Sequence, residues 1–168
     1  MILVVDVAYK DNSAQVAGVL LESWESCTST NQYIIHIQDT AEYESGQFYK
    51  RELPCILALL DVVKENVEFI VIDGYVYLGA EQSAGLGQHL YDSLINKVPV
   101  IGVAKNEFRD TPEQCKILRG KSIKPLFITS IGIDLALAIP NICSMHGKHR
   151  IPTMLKEVDR LSRLRFED

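Results

Sequence analysis

Three β-rich runs crowd into the first 38 residues, after which apolar runs alternate with helical patterns, and this change of mode constrains the fold more than any other feature of the chain. Residues 1–8 (MILVVDVA) and 14–21 (AQVAGVLL) are joined by YKDNS, whose Asp-Asn-Ser is turn chemistry, so a hairpin is predicted. Residues 32–38 (QYIIHIQ) supply a third strand, and the chain therefore opens as an antiparallel meander.

From residue 47 to 64 the apolar residues Phe48, Cys55, Leu59 and Val62 recur near helical spacing, with Leu53, Ile56 and Leu60 widening the stripe. Pro54 suits the first turn of a helix, so the helix is expected to start near residues 51–53, with Glu52 at its N-terminal end. Residues 69–73 (FIVID) read as a short buried strand ending in an acid, followed by an Asp73-Gly74 turn. Residues 83–95 read as a second helix, 98–104 (VPVIGVA) and 125–130 (PLFITS) as further strands, and 151–163 as a closing amphipathic helix. The βαβ pattern implies a parallel extension of the sheet. An α/β class follows: a three-stranded antiparallel meander extended by parallel strands, with helices on both faces. That is the element order of a ribonuclease H-like domain, whereas the rival flavodoxin-like arrangement does not begin with a meander.

A chain of 168 residues, 47% of them apolar, buries a proper core, and one domain over residues 1–168 is expected. The net charge of −5 argues against a general nucleic-acid coat protein, which gains affinity by neutralising many phosphates, but leaves room for an enzyme that uses a metal and a local basic patch. Cys27, Cys55, Cys115 and Cys143 are scattered without zinc-ligand spacing, and reduced thiols fit a cytoplasmic protein. The apolar start has no basic flank or small-residue cleavage site and reads as a strand rather than a signal peptide, and no apolar run approaches membrane-spanning length.

Asp6 interrupts an otherwise apolar first strand, where an uncompensated carboxylate is costly. Asp73 ends a strand that this topology places beside the first. Two like charges at close range need a proton or a cation between them. Glu52 is placed to join them, and two or three carboxylates with open water positions suit Mg²⁺, or Mn²⁺ in its place, and phosphodiester hydrolysis. Lys105, just after the next strand, is positioned to neutralise charge on phosphorus. Individually each residue also has an ordinary role: Asp in a turn, Glu in a first helical turn, Lys on the surface. The basic cluster HGKHR (146–150) reads as either a phosphate contact or a solvated loop.

At these residues the chain resembles the endonuclease V family of deoxyinosine- or inosine-directed endonucleases. VVDVAYK is similar to that family's opening strand with its metal-binding Asp, here Asp6. YESGQFYKRE resembles the segment from a Tyr-x-Pro-Gly wedge to an Arg-Glu pair, setting Tyr43 on the wedge Tyr, Gly46 on its Gly, and Arg51 and Glu52 on the pair. VIDGY resembles the strand with the second metal Asp, here Asp73, followed by Tyr75. VPVIGVAKNEF resembles the family's Pro-x-Ile-Gly-Val-Ala-Lys, with Lys105 as its lysine, and HRIPTMLKEVDRLSR resembles an Arg-x-Pro and a final helix. Ser45 replaces the wedge proline, and Gly79 and Glu81 stand near the places of a His and an Arg. Ile133 stands where the family's Ser-x-Gly-His carries a metal-coordinating His, with Asp134 adjacent as a substitute.

The resemblance implies a metal-dependent endonuclease cutting near a deaminated purine in DNA or RNA. Asp6, Glu52 and Asp73 would be metal ligands, Lys105 a catalytic residue, and Tyr43, Gly46, Arg51 and Tyr75 substrate-binding residues. Inosine-containing nucleic acid is the implied partner, with no membrane; the sequence leaves the oligomeric state open, a monomer being favoured. Two alternatives stand beside it: a non-catalytic nucleic-acid-binding module, and a nuclease with another nucleic-acid substrate.

Overall fold

The computed structural model of the protein describes every residue except Tyr43, Gly46, Glu167 and Asp168. The chain runs β1 (Ile2–Lys10), β2 (Ser13–Leu21), β3 (Asn31–Ile37), α1 (Tyr49–Val62), β4 (Phe69–Asp73), β5 (Tyr77–Leu78), β6 (Ser83–Ala84), α2 (Leu86–Ser93), β7 (Val100–Ala104), β8 (Lys116–Ile117), β9 (Leu126–Ile131), α3 (Leu135–Ser144) and α4 (Thr153–Arg163). Among the described residues seven strands form one sheet of order β3-β2-β1-β4-β7-β9-β8, and β5 and β6 form a small separate hairpin.

The opening meander is as expected. Lys10 pairs with Ser13 across a two-residue turn, with Asp11 at φ 55°, a left-handed conformation that Asp tolerates better than most residues. β4 lies parallel to β1, and β7 parallel to β4. The expected parallel extension stops there, because β9 runs antiparallel to β7, with Ala104 opposite Phe127 and Val100 opposite Ile131. A parallel neighbour requires a crossover, usually a helix, to carry the chain back to the starting end of the sheet. Between β7 and β9 the chain forms only a 3₁₀ turn (Glu113–Cys115) and the two-residue edge strand β8.

Strand alternation divides the core between the two faces of the sheet. Ile2 and Val4 of β1 pack with Val71, Ile101 and Ile128 under α3 and α4, while Leu3 and Val5 pack with Ile70 and Ile72 under α1 and α2. Trp24 lies edge-on to Phe69, ring centroids 5.3 Å apart, on the first of these faces. Helix α1 starts before the expected residues 51–53, leaving Pro54 inside the helix. Its buried residues, Glu52, Cys55, Ile56 and Leu59, follow helical spacing, so Glu52 is the first member of the inward stripe. Helix α2 is shorter than the expected 83–95. Helix α3, with Pro140 inside it, falls in a stretch for which the sequence predicts no element.

Candidate active site

Two strands deliver the first two carboxylates. Val5 of β1 pairs with Ile72 of β4, and Asp6 and Asp73 each follow by one residue, at the same end of the sheet. Alternation turns Asp6 to the α4 face, where it is 8% exposed. Its Oδ1 accepts the Val7 amide at 2.9 Å, and its Oδ2 lies 3.2 Å from the Ser162 hydroxyl of α4. Lys105, one residue beyond β7, donates to Asp73 Oδ2 at 3.3 Å.

A cavity of about 540 Å³ opens over this pair, lined by Asp6, Tyr9, Asp73, Asp159, Arg163 and Phe166 among others. Asp159 is a fourth acid that sequence reasoning missed. It lies one helical turn from both Leu155 and Ser162, at the margin of the buried stripe of α4, and that spacing was the available signal. With Arg163 at 3.0 Å, four residues on, the pair reads in sequence as an ordinary surface ion pair.

The electrostatics follow from this crowding. The Asp6 carboxyl is pushed up to about 7, first by burial, then by the negative charge of Asp73, and further by Asp159. Glu52 reaches the same region from the α1 side. At 5% exposure its carboxyl is held well above the usual range by burial, then by Asp6 and Asp73, and its Oε2 is buried without a hydrogen-bond partner. Among the described residues no three His, Cys, Asp or Glu side chains converge into a ready-made metal-binding group. The expected triad of Asp6, Glu52 and Asp73 is thus coupled by charge but not closed into a ligand set. Asp6 faces α4, while Glu52 belongs to the helix on the opposite face.

The remaining sequence candidates separate. Arg51 lies over the Tyr9 ring, 3.9 Å from its centroid, and reaches the Asp11 carbonyl at 3.4 Å, bracing the first hairpin. The Tyr75 hydroxyl donates to the Asn106 carbonyl at 2.7 Å and accepts the Phe108 amide at 3.0 Å, so it ties down the loop after Lys105. Tyr43 and Gly46 lie outside the described residues. Ile133 and Asp134, considered for a missing metal-binding His, follow β9 at the opposite end of the sheet from Asp6 and Asp73, because that strand is antiparallel. In the basic cluster, His146 bonds Thr153 Oγ1 at 2.9 Å beside the start of α4, and Arg150 turns inward onto backbone carbonyls rather than out to solvent.

A family model described as Endonuclease V matches residues 1–121. The endonuclease V of Thermococcus kodakarensis is 30% identical over 161 residues, which cover 95% of this chain and 76% of that protein. The chain belongs to the endonuclease V family. The crystal structure of endonuclease V from Streptomyces avermitilis matches with a TM-score of 0.75 at 28% identity, over 99% of this chain and 81% of that one. The fold is also that of Ciona intestinalis endonuclease V, solved with a 23mer DNA containing an inosine followed by a ribo-adenosine, at a TM-score of 0.79 and 18% identity over 98% and 84% of the two chains. Endonuclease V proteins are metal-dependent nucleases, and the matched residues 1–121 contain Asp6, Glu52, Asp73 and Lys105. No helix among the described residues is long and apolar enough to cross a membrane.

Proposed function

We propose that this chain is a divalent-metal-dependent endonuclease that hydrolyses a phosphodiester bond near a deaminated purine, inosine, in DNA or RNA. The observation that carries this reading is the pairing of Asp6 and Asp73 at adjacent strand ends, with Asp159 on the same cavity and Lys105 on Asp73. The residues fit a hard cation. The charges of Asp73 and Asp159 raise the Asp6 carboxyl across the cavity that these three acids line, and a divalent ion with oxygen ligands would relieve that repulsion, with water completing its shell. Asp6 and Asp73, joined by Asp159, would hold Mg²⁺ or, in its place, Mn²⁺, with Glu52 as a further ligand or as the base that orients the attacking water. Such an ion would supply Lewis acidity to the hydrolysis of the phosphodiester.

Lys105 brings a positive charge to where negative charge accumulates on the phosphoryl oxygens, and its contact with Asp73 keeps it there before substrate arrives. Tyr43, Gly46, Arg51 and Tyr75 would serve substrate binding in this reading, Arg51 and Tyr75 by bracing the first hairpin and the loop after Lys105. The inosine-containing DNA bound by the Ciona relative supports the choice of substrate. We place the activity in a single-domain protein and in the cytoplasm, a compartment that agrees with its four free cysteines.

The test is cleavage of matched DNA and RNA oligonucleotides, with and without one inosine, in Mg²⁺ and then Mn²⁺. Asp73→Asn serves as the control and should remain folded while losing at least roughly a thousandfold in rate. Inosine-dependent cutting absent from the variant supports the proposal. A fully active Asp73→Asn protein sinks the site assignment, and equal cutting of inosine-free strands sinks the substrate.

A further inference from the structure

The turn between α3 and α4 is held by two arginines whose bonds run to backbone carbonyls. Arg119, 7% exposed, donates from Nη1 to the His149 carbonyl and from Nη2 to those of Met145 and, at 2.8 Å, Gly147. Next to it, Gly120 has φ +67°, and a Cβ there would meet the Lys148 carbonyl oxygen at 2.5 Å and the His149 carbonyl carbon at 3.0 Å. Only glycine lets the two segments lie this close in that conformation. The turn at 145–149 is therefore seated from below, and Arg150 leaves it in a defined direction.

Arg150 points back toward the end of β7. Its Nη2 donates to the carbonyl of Lys105 and, at 2.7 Å, to the carbonyl of Pro125, which precedes β9. A guanidinium presents its donors in a rigid plane and stays charged, so it ties two backbone segments at a fixed separation in a way lysine does not. One of those segments is the residue whose ammonium lies 3.3 Å from Asp73 Oδ2.

We infer that Arg150, seated by Arg119, is a positioning residue for Lys105: it holds the backbone from which the Lys105 side chain reaches Asp73 and the reacting phosphate. The inference rests on the role proposed above for Lys105. It assigns to Arg150 an action through the protein rather than on nucleic acid. A tie that served only to join β7 to β9 would affect stability without any energetic link to the Lys105 side chain.

The experiment is a double-mutant cycle with a chemical readout beside it. Arg150→Gln should lower the single-turnover rate on an inosine oligonucleotide about tenfold or more while KM stays within about twofold, since small misplacements of a catalytic group act on the chemical step. In a Lys105→Met background the same change should alter the residual rate by less than about twofold, because residues acting as one unit are not additive. Acylation of the metal-free protein by an N-hydroxysuccinimide ester, read by mass spectrometry, should modify Lys105 several-fold faster in Arg150→Gln, with Lys97 as the internal reference. Arg150→Lys should recover only part of the loss. An equal rate loss in both backgrounds, or unchanged Lys105 acylation, overturns the inference. If Arg150→Gln fails to melt cooperatively, Arg150→Lys and Arg119→Lys carry the same comparisons. If the wild type cuts no strand, the proposed function falls, while the acylation comparison still decides whether Arg150 positions Lys105.

Discussion

Asp6 and Asp73 stand side by side because each lies one residue beyond Val5 and Ile72, which are partners in the parallel pairing of β1 with β4. Parallel register places strand ends together whatever the residues are, so the two carboxylates are brought within range of each other's charge by backbone hydrogen bonding rather than by any attraction of their own. The fold therefore places a repulsion at this end of the sheet.

Asp6 makes the metal-free protein less stable as pH rises. Its carboxyl ionises at about 7 in the folded state against 3.8 as a free side chain, so the folded state binds more protons than the unfolded state between these values. The stability contributed by the protonated form is fully present below about 4 and is lost progressively until the pH passes 7. At about 1.4 kcal/mol per pH unit, the loss at pH 8 reaches at most about 4 kcal/mol. Asp6→Asn should thus raise the melting temperature of the metal-free protein at pH 8 but hardly at pH 4. A pH-independent difference in calorimetry would contradict this. Added Mg²⁺ or Mn²⁺ should stabilise the wild type more at pH 8 than at pH 5.

Asp159→Asn should weaken divalent-ion binding and lower cleavage roughly 10- to 100-fold, the range expected when a supporting carboxylate near a metal is lost. Its partner Arg163 is largely exposed, so the ion pair itself contributes little to stability, and the melting temperature should move by no more than a degree or two. Isothermal titration with Mn²⁺ beside the cleavage assay checks both halves. Unchanged ion affinity would remove Asp159 from the site.

Glu52→Gln removes a buried titratable carboxyl and should leave the helix intact, because the amide keeps the shape of the side chain. Because burial raises the Glu52 carboxyl above the usual carboxylate range, the stability gained by the variant should grow as pH rises beyond that range. Cleavage should fall at least about a hundredfold if Glu52 orients water, with metal affinity lowered less than about tenfold. A parallel collapse of affinity and rate would mark Glu52 as a ligand instead.

Leu59 is fully buried on the inward stripe of α1 that also carries Glu52. Leu59→Ala should cost about 2–5 kcal/mol in urea unfolding, the range for a buried leucine left as a cavity. Because Leu59 lies two turns from Glu52, saturating metal should leave kcat within about twofold where the variant remains folded. A large kcat loss would show that the seating of α1 controls the site.

Much of this protein is local in origin and legible in the sequence. The hairpin of β1 and β2 follows from β-rich runs around Asp-Asn-Ser, the βαβ step from the alternation of patterns, and the adjacency of Asp6 and Asp73 from that topology. Lys105 at the end of β7 was equally accessible, since a buried apolar strand gives way there to polar residues. The tertiary structure alone decided the rest, and for one physical reason: the outcome depended on what a residue meets across space. Pattern gives no direction to a strand reached without a crossover helix, so β9 turned out antiparallel and carried Ile133 and Asp134 away from the acids. An Asp at the margin of an amphipathic stripe reads as a surface ion pair until α4 is laid on β1, when Asp159 meets Asp6. An arginine in a basic run reads as solvated until Lys105 and Pro125 offer it their carbonyls. Glu52 sits on the stripe its spacing dictates, but only packing against the sheet determined that it approaches the acids from the opposite face.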